Sequence, residues 1–589
     1  MKAANFVVFV VLLAVSQSVG WPAEGGQWWW PPSNVEISPQ NPTCSDIIAI
    51  TLSGEWPDGC IPNASSIWTY DNNIYFVVYC NYPPGTVCPT IITPWQRTES
   101  LCPRPLGKYT VYTYLVGVPG IGEEYTQIEE FIVTGRIFTR IIYVDTDANG
   151  ANDGSSWENA YNFLQDALAD ANSLPKPVEI RVSQGVYGPD EDILHPNGTG
   201  DRTSTFQLIN SVTLKGGYAG FGQPDPNRRD VNKYKTVLSG DLKGDDGPGF
   251  VNYDENSYHV LSGDRRYTSC SYYGAIVDGF TITGGNASGP DWDHKEGGGI
   301  YIYIDCELTV TNCTIIGNRA EYRGGGMLSV GSGGCPSTIT NCRFIANNCD
   351  GGGGGLCLDG ESIPYMTNCL FAGNSARWAG AISIPEGYPR IRNCTFSGNT
   401  ASDQCGGIIG HVSLLRNCIL WANTDSSGNT ESAQIQPGDY SHIDYCCIQG
   451  WSGSLDGTGN IDTDPCFAAA GYWDPNVTPD DANDDFWVDG DYHLKSQAGR
   501  WNPPMAGWIR DDVTSLCIDA GDPASPIGLE PFPNGGIINM GAYGGTAEAS
   551  KSYFGEPVCE TIVAGDINGD CKVNFVDFAI MAFHWLEER

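Results

Sequence analysis

The residues best suited to chemistry stand near the end of the chain, in Asp566-Ile-Asn568-Gly-Asp570-Cys-Lys572-Val-Asn574-Phe-Val-Asp577. Side-chain oxygens at loop positions 1, 3, 5, 9 and 12, with the Lys572 carbonyl at position 7, match the spacing that wraps one loop around a cation. An all-oxygen donor set suits a hard ion, so Ca2+ is the expected cofactor. A helix from Phe575 to Leu586 follows, with Phe578, Ala582 and Trp585 along one face. Asp145-Thr-Asp147-Ala-Asn149-Gly150 opens in the same way but reaches Ser156 at the twelfth position, which predicts a turn. The acidic run around Asp480 to Asp485 has no ligand spacing and reads as a solvated loop.

The second candidate set is Arg343, Arg392 and Arg416, whose meaning depends on a repeated phrase. Leu308-Thr-Val-Thr-Asn312-Cys313-Thr-Ile315 returns around Cys342, Cys369, Cys394, Cys418 and Cys446, with successive cysteines 24–29 residues apart. Such a period is that of one supersecondary coil stacked on the next. Apolar residues at offsets 0, 3 and 5 break strand alternation once, so two short strands meet at a corner before each cysteine. Val277-Asp-Gly279-Phe280-Thr-Ile282 keeps the offsets and adds an earlier member.

Asn318, Asn347, Asn374, Asn399 and Asn423 each follow the last apolar residue of a phrase by three positions, where stacked amides would bond as a ladder. Glycine clusters then open a third strand, as at Gly297 to Gly299 and Gly324 to Gly326. Three strands per turn, rising about 4.8 Å per coil, define a right-handed parallel β-helix.

The register sorts the outward residues into two stripes. Asp278, Thr311, Thr340, Thr367, Arg392, Arg416 and Asp444 make up the first, and Thr281, Thr314, Arg343, Leu370, Thr395, Ile419 and Cys447 the second. Arg392 beside Arg416, with Arg343 nearby, would grip an anionic uronate; the alternative is a solvated charged face. No two neighbouring carboxylates occur on either stripe, whereas a glycoside hydrolase needs a pair roughly 5–10 Å apart. The insertion Asp291-Trp-Asp293-His294-Lys295-Glu296 places acids, a base and an aromatic on one loop, without a partner set that defines a reaction.

The Gly-Gly-Ala-Ile and Phe-x-x-Asn signals between Gly297 and Asn423 resemble the repeats of the polymorphic outer-membrane protein family and of bacterial surface β-helix proteins. Tyr143 to Leu168, and Cys517 to Asp522 with Asn534 to Tyr543, look similar to the start and finish of secreted bacterial β-helix proteins. The EF-hand-like loop at Asp566 to Asp577 with its following helix is similar to one half of a type I dockerin. That resemblance implies a cohesin-like partner, although dockerins carry two such segments and this chain shows one, with Asp rather than Glu at position 12.

Composition bounds the partners. Lys plus Arg total 31 against 69 Asp plus Glu, a net charge of −38, which repels nucleic acid and anionic lipid. Met1-Lys2 and the apolar run Phe6 to Val15, with Ser18 and Gly20 before Trp21, predict a secretory signal peptide over residues 1–20. No later run is long enough to span a membrane. The 22 cysteines suit an oxidising compartment, yet in-register neighbours in a parallel stack point the same way, so the repeat cysteines are expected to be buried thiols. Cys44, Cys60, Cys80, Cys88, Cys102, Cys559 and Cys571 are better disulfide candidates.

Four domains follow: the signal peptide, an immunoglobulin-like β-sandwich over residues 33–135, the β-helix over 140–550 and the dockerin-like segment over 559–589. Trp56, Trp68 and Trp95 in the sandwich are read as core in preference to sugar platforms. Ser155-Ser-Trp-Glu158 predicts a capping box opening a helix through Leu168 that covers the first coil. The chain is therefore expected to be a secreted, modular protein that binds extracellular polysaccharide or a cell-surface component. The rival is a polysaccharide lyase or glycoside hydrolase whose site lies on loop insertions.

Overall fold

The computed structural model describes residues 140–264, 274–303, 308–331, 337–360, 362–475 and 485–555. It also describes the strands between 34 and 133 with a few flanking residues, and Gly565, Lys572–Phe575, Phe578 and Ala579. The expected signal peptide and all seven disulfide candidates named above lie outside these residues. No described helix is long and apolar enough to cross a membrane.

The N-terminal unit carries two sheets. Asn34–Ser38, Ile48–Trp56 and Thr93–Leu101 pair antiparallel in one; Ala64–Tyr70, Asn73–Tyr79, Gly107–Val116 and Thr126–Val133 form the other. Asn73–Tyr79 and Gly107–Val116 run parallel. Strand alternation sends Ile50, Leu52, Phe76, Val78 and Val111 inside, all fully buried. Trp95 is buried with them, a core residue, while the side chains of Trp56 and Trp68 lie outside the description.

In the second unit, parallel ladders of ten, nine and eight strands run from Arg140 to Ile448. Each phrase contributes one strand before its corner to the ten-stranded ladder and one after it to the nine-stranded ladder. Equivalent positions therefore stack: Met366 on Ile339 and Ile391 on Met366, then Phe371 on Phe344 and Phe396 on Phe371. The corner residues Asn312, Asn341, Asn368, Asn393 and Asn417 all take left-handed dihedrals, with φ between 49° and 55°. Asparagine tolerates that region better than most side chains, which explains its return at these five corners; Gly279 and Tyr445 take the same position with positive φ in the first and last phrases.

The interior is one continuous core. Cys313, Cys342, Cys369, Cys394, Cys418 and Cys446 stack as buried free thiols, each donating to the carbonyl two residues earlier, for example Cys342 to Thr340 at 3.2 Å. Phe344, Phe371 and Phe396 stack with ring centroids 4.5 and 5.0 Å apart. The asparagine ladder forms as the spacing predicts. Nδ2 of Asn318 donates to Oδ1 of Asn347 at 3.0 Å, Asn347 to Asn374 at 3.0 Å, Asn374 to Asn399 at 2.8 Å and Asn399 to Asn423 at 2.8 Å. Gln434 closes the run by accepting from Asn423 at 2.8 Å.

Three expectations are corrected. A short fourth ladder of five strands, from Asn286–Ala287 to Thr400–Gln404, lies after the asparagine ladder, so these coils have four strands and not three. The covering helix spans Leu164–Ser173 and begins after Phe163 without a side-chain cap, because the Ser156 hydroxyl instead accepts from the Asn159 amide within a preceding turn. Its apolar face, Leu164, Ala167, Leu168 and Ala171, does close the first coil. Finally, the last ladder strand is Cys447–Ile448, short of residue 550.

Residues after the last coil fold back as a cap. Hairpins pair Phe467–Ala469 with Asp491–Leu494, Tyr472–Asp474 with Phe486–Val488, and Arg500–Asn502 with Gly507–Ile509. Outward Leu370, Ile419 and Cys447 of the nine-stranded ladder are buried beneath Phe467, Tyr492, Leu494, Met540 and Ala542. The Trp487 indole lies over Gly373 and Gly398, where a Cβ would come within 2.1 and 2.4 Å of its ring. Corner side chains also hold the cap: Asn368 Nδ2 donates to the Ala542 and Gly544 carbonyls at 2.9 and 2.8 Å, and Asn417 Oδ1 accepts from the Asp522 amide at 2.7 Å.

Candidate functional site

The cap decides the fate of the arginine set. Arg416 donates to Asp444 at 3.2 Å and to Asp522 at 2.8 Å, and Arg343 pairs with Asp489. Arg392 lies between Thr367 and Arg416 in the ten-stranded ladder, as the register predicts. Two of the three guanidiniums are therefore matched by carboxylates that the cap brings to them. The structure does not assemble an open anion site from Arg343, Arg392 and Arg416.

Of the predicted calcium loop, Lys572 and Asn574 fall within the described residues; Asp566, Asn568, Asp570 and Asp577 lie outside. Asp145 is a turn residue, as expected. Its carboxylate accepts from the Asp147 amide at 3.0 Å and the Phe221 amide at 2.6 Å, and burial pushes its pKa up. Asp241, Asp245 and Glu255 offer carboxylate oxygens within 4.8 Å of one another, a donor set of the kind that takes a hard cation. Asp241 already accepts from the amides of Lys243, Gly244 and Asp246.

The richest outward surface lies on the eight-stranded ladder, around the Asp291–Glu296 insertion. Alternation along Ile300–Tyr303 turns Ile300 and Ile302 inward and Tyr301 and Tyr303 outward. The insertion forms a short 3-10 turn at Asp293–Lys295 above them. His294 stacks on Tyr258, with centroids 4.5 Å apart and planes at 21°, and the Arg202 guanidinium lies 4.4 Å from the centre of the same tyrosine ring. His259 stacks on Tyr301 at 4.6 Å. Its Nδ1 donates to the Gly297 carbonyl at 3.0 Å, and burial pushes its pKa down to about 4, so this imidazole is neutral and structural.

Trp292 and Tyr322 come from adjacent coils and stand 4.6 Å apart, centroid to centroid. They are 59% and 42% exposed, so the aromatic faces remain available. Beneath them Glu296 is fully buried and accepts from Nε of Arg323 at 2.6 Å and Nη2 at 3.4 Å; Arg323 also pairs with Asp359. Lys295 pairs with Glu321 at 2.7 Å, and the Tyr322 amide donates to the Lys295 carbonyl at 2.8 Å. The aromatic pair is thus carried on two coils joined by backbone and side-chain bonds. Asp291, Asp293, Glu296, Glu321 and Asp359 outweigh Arg202, Lys295 and Arg323, leaving the patch negative.

The insertion is legible from its residue types, but its partners are supplied by neighbouring coils. One signal for them exists in the chain: Glu296 and Arg323 each immediately precede a Gly-Gly-Gly triplet, and they pair as register equivalents. Tyr258 carries no such marker, because the coil before it lacks the repeat phrase.

One family model agrees with this architecture over part of the ladders. The right handed beta helix region family model matches residues 249–384, and the Disaggregatase related model matches residues 445–521. Among solved structures, pectate lyase Pel9A is 14% identical with a TM-score of 0.34, over 69% of this chain and 97% of that one. A rhamnogalacturonan lyase is 12% identical with a TM-score of 0.30, over 61% of this chain and 97% of its own. No curated protein sequence matches. The fold is an all-β, right-handed parallel β-helix built of repeats.

Proposed function

We propose that this is an exported protein that binds neutral extracellular polysaccharide through the Trp292–Tyr322 surface, without cleaving it. The observation that carries this reading is the exposed aromatic pair, held on adjacent coils of a rigid solenoid. Aromatic faces bury the apolar faces of sugar rings, and a coil spacing of about 4.8 Å lets one chain lie across both. The surrounding carboxylates favour a neutral glycan over a polyuronate, since like charges repel.

Replacing Trp292 with alanine removes the more exposed ring and is expected to weaken retention on neutral polysaccharide about tenfold, or about 1.4 kcal/mol. Affinity electrophoresis through gels loaded with neutral or uronate polysaccharides measures this, with product absorbance recorded on the same mixtures. Unchanged retention of Trp292→Ala would overturn the site, and unsaturated or reducing products would overturn the non-catalytic reading.

The reading includes one calcium ion in the Asp566–Asp577 loop, where Asp566, Asn568, Asp570, Asn574, Asp577 and the Lys572 carbonyl supply oxygens only. Calorimetric titration of chelator-treated full chain is expected to show a calcium-binding event that Asp570→Ala abolishes. A cohesin-like partner, if engaged by this segment, would then bind only in calcium.

A further inference from the structure

We propose that Cys447 and Cys517 join in a disulfide that staples the cap to the last coil. Cys446 and Cys447 are consecutive, so strand alternation sends their side chains to opposite faces. Cys446 belongs to the interior thiol stack, whereas Cys447 points outward into the cluster formed with Phe467, Tyr492, Met540 and Cys517. The Cys447 thiol, together with burial, pushes the Cys517 pKa up, while Cys447 Sγ itself donates to the Thr463 carbonyl at 3.1 Å. Both residues are fully buried.

This pair differs from the interior stack in the property that governs bridging. Stack neighbours are parallel equivalents, whose Cα–Cβ bonds point the same way at the strand spacing, and they cannot close a relaxed S–S bond. Cys447 and Cys517 come from opposed elements. The Cys447 amide donates to Cys418 in the coil beneath at 2.8 Å, while the Cys517 carbonyl accepts from Met540 within the cap at 3.0 Å. Both side chains enter the one buried cluster between coil and cap. The cross-link would enclose all three cap hairpins, which lie between residues 467 and 509.

The oxidant is a small-molecule disulfide of the glutathione type. One protein thiolate attacks a sulfur of that disulfide and releases one small thiol; the second protein thiolate attacks the mixed disulfide and releases the other. Two protein thiols give up two protons and two electrons, and the small disulfide takes up both. Since both cysteines are buried in the finished fold, the exchange takes place while the cap docks. Cys466, less buried and one residue before Phe467 of the same cluster, is the competing thiol.

Refolding the full chain in a buffer of reduced and oxidised glutathione, alkylating, and mapping unreduced peptides by mass spectrometry tests the bridge. The expected result is a Cys447 peptide joined to a Cys517 peptide, with Cys342, Cys369 and Cys394 alkylated. A reductant is expected to lower the melting midpoint of the unaltered chain by several degrees more than it lowers that of Cys447→Ala or Cys517→Ala. Alkylation of all three thiols, a bridge from Cys517 to Cys466, or an equal response of the variants to reductant would overturn the proposal. Peptide mapping of the unaltered chain decides the matter even if a variant fails to fold.

Discussion

Asn374→Ala is expected to destabilise the solenoid by about 4 kcal/mol, one of the largest effects of any single side chain in the ladders. Asn374 is fully buried. Its Oδ1 accepts from the amide and the Nδ2 of Asn347, at 3.1 and 3.0 Å, while its Nδ2 donates to the Phe344 carbonyl and to Asn399, both at 2.8 Å. Alanine leaves the Asn347 amide and the Phe344 carbonyl without these partners in an interior closed to water. Each stranded buried group costs about 1–3 kcal/mol. Urea denaturation followed by circular dichroism measures the change. A loss below about 1.5 kcal/mol would show that water or relaxation replaces the ladder.

Arg323→Met is expected to cost about 3–5 kcal/mol, because it strands the buried Glu296 carboxylate. The native pair has little access to solvent on the Glu296 side, whose side chain is 1% exposed. Burial already raises the Glu296 pKa, with Arg323 opposing the rise, so removing the guanidinium raises it further. A carboxyl whose native pKa lies above its unfolded value holds its proton more tightly when folded, so its stability contribution falls as pH rises through the native pKa. The variant is therefore expected to be closer to the unaltered protein at pH 5 than at pH 8 in parallel denaturation experiments. A loss that grows toward acid would sink this account. Because Lys295 and Tyr322 are tied together beside the pair, retention on neutral polysaccharide is expected to fall as well.

The interior of this protein is legible in the chain because ladder pairing imposes one register on every coil. Once the phrase around Cys313 is aligned with those around Cys342 to Cys446, the thiol stack, the phenylalanine stack, the asparagine ladder and the left-handed corners all follow from period and residue type. The fourth strand escaped because Asn286–Ala287 and Arg319–Ala320 are too short to show alternation.

What the repeat could not reveal is which outward faces are covered. Leu370, Ile419 and Cys447 stand on an outward stripe in the linear register, and only contacts with segments far along the chain bury them under Met540 and Ala542. The same cap supplies Asp489 and Asp522, turning Arg343 and Arg416 from candidate anion ligands into fasteners. Trp292 likewise gains Tyr322 from the next coil. Local pattern determines the coil because its bonds are made between equivalent positions at a constant step. Tertiary structure alone decides the surface, since contacts between non-equivalent segments obey no period that a reading of the chain can follow.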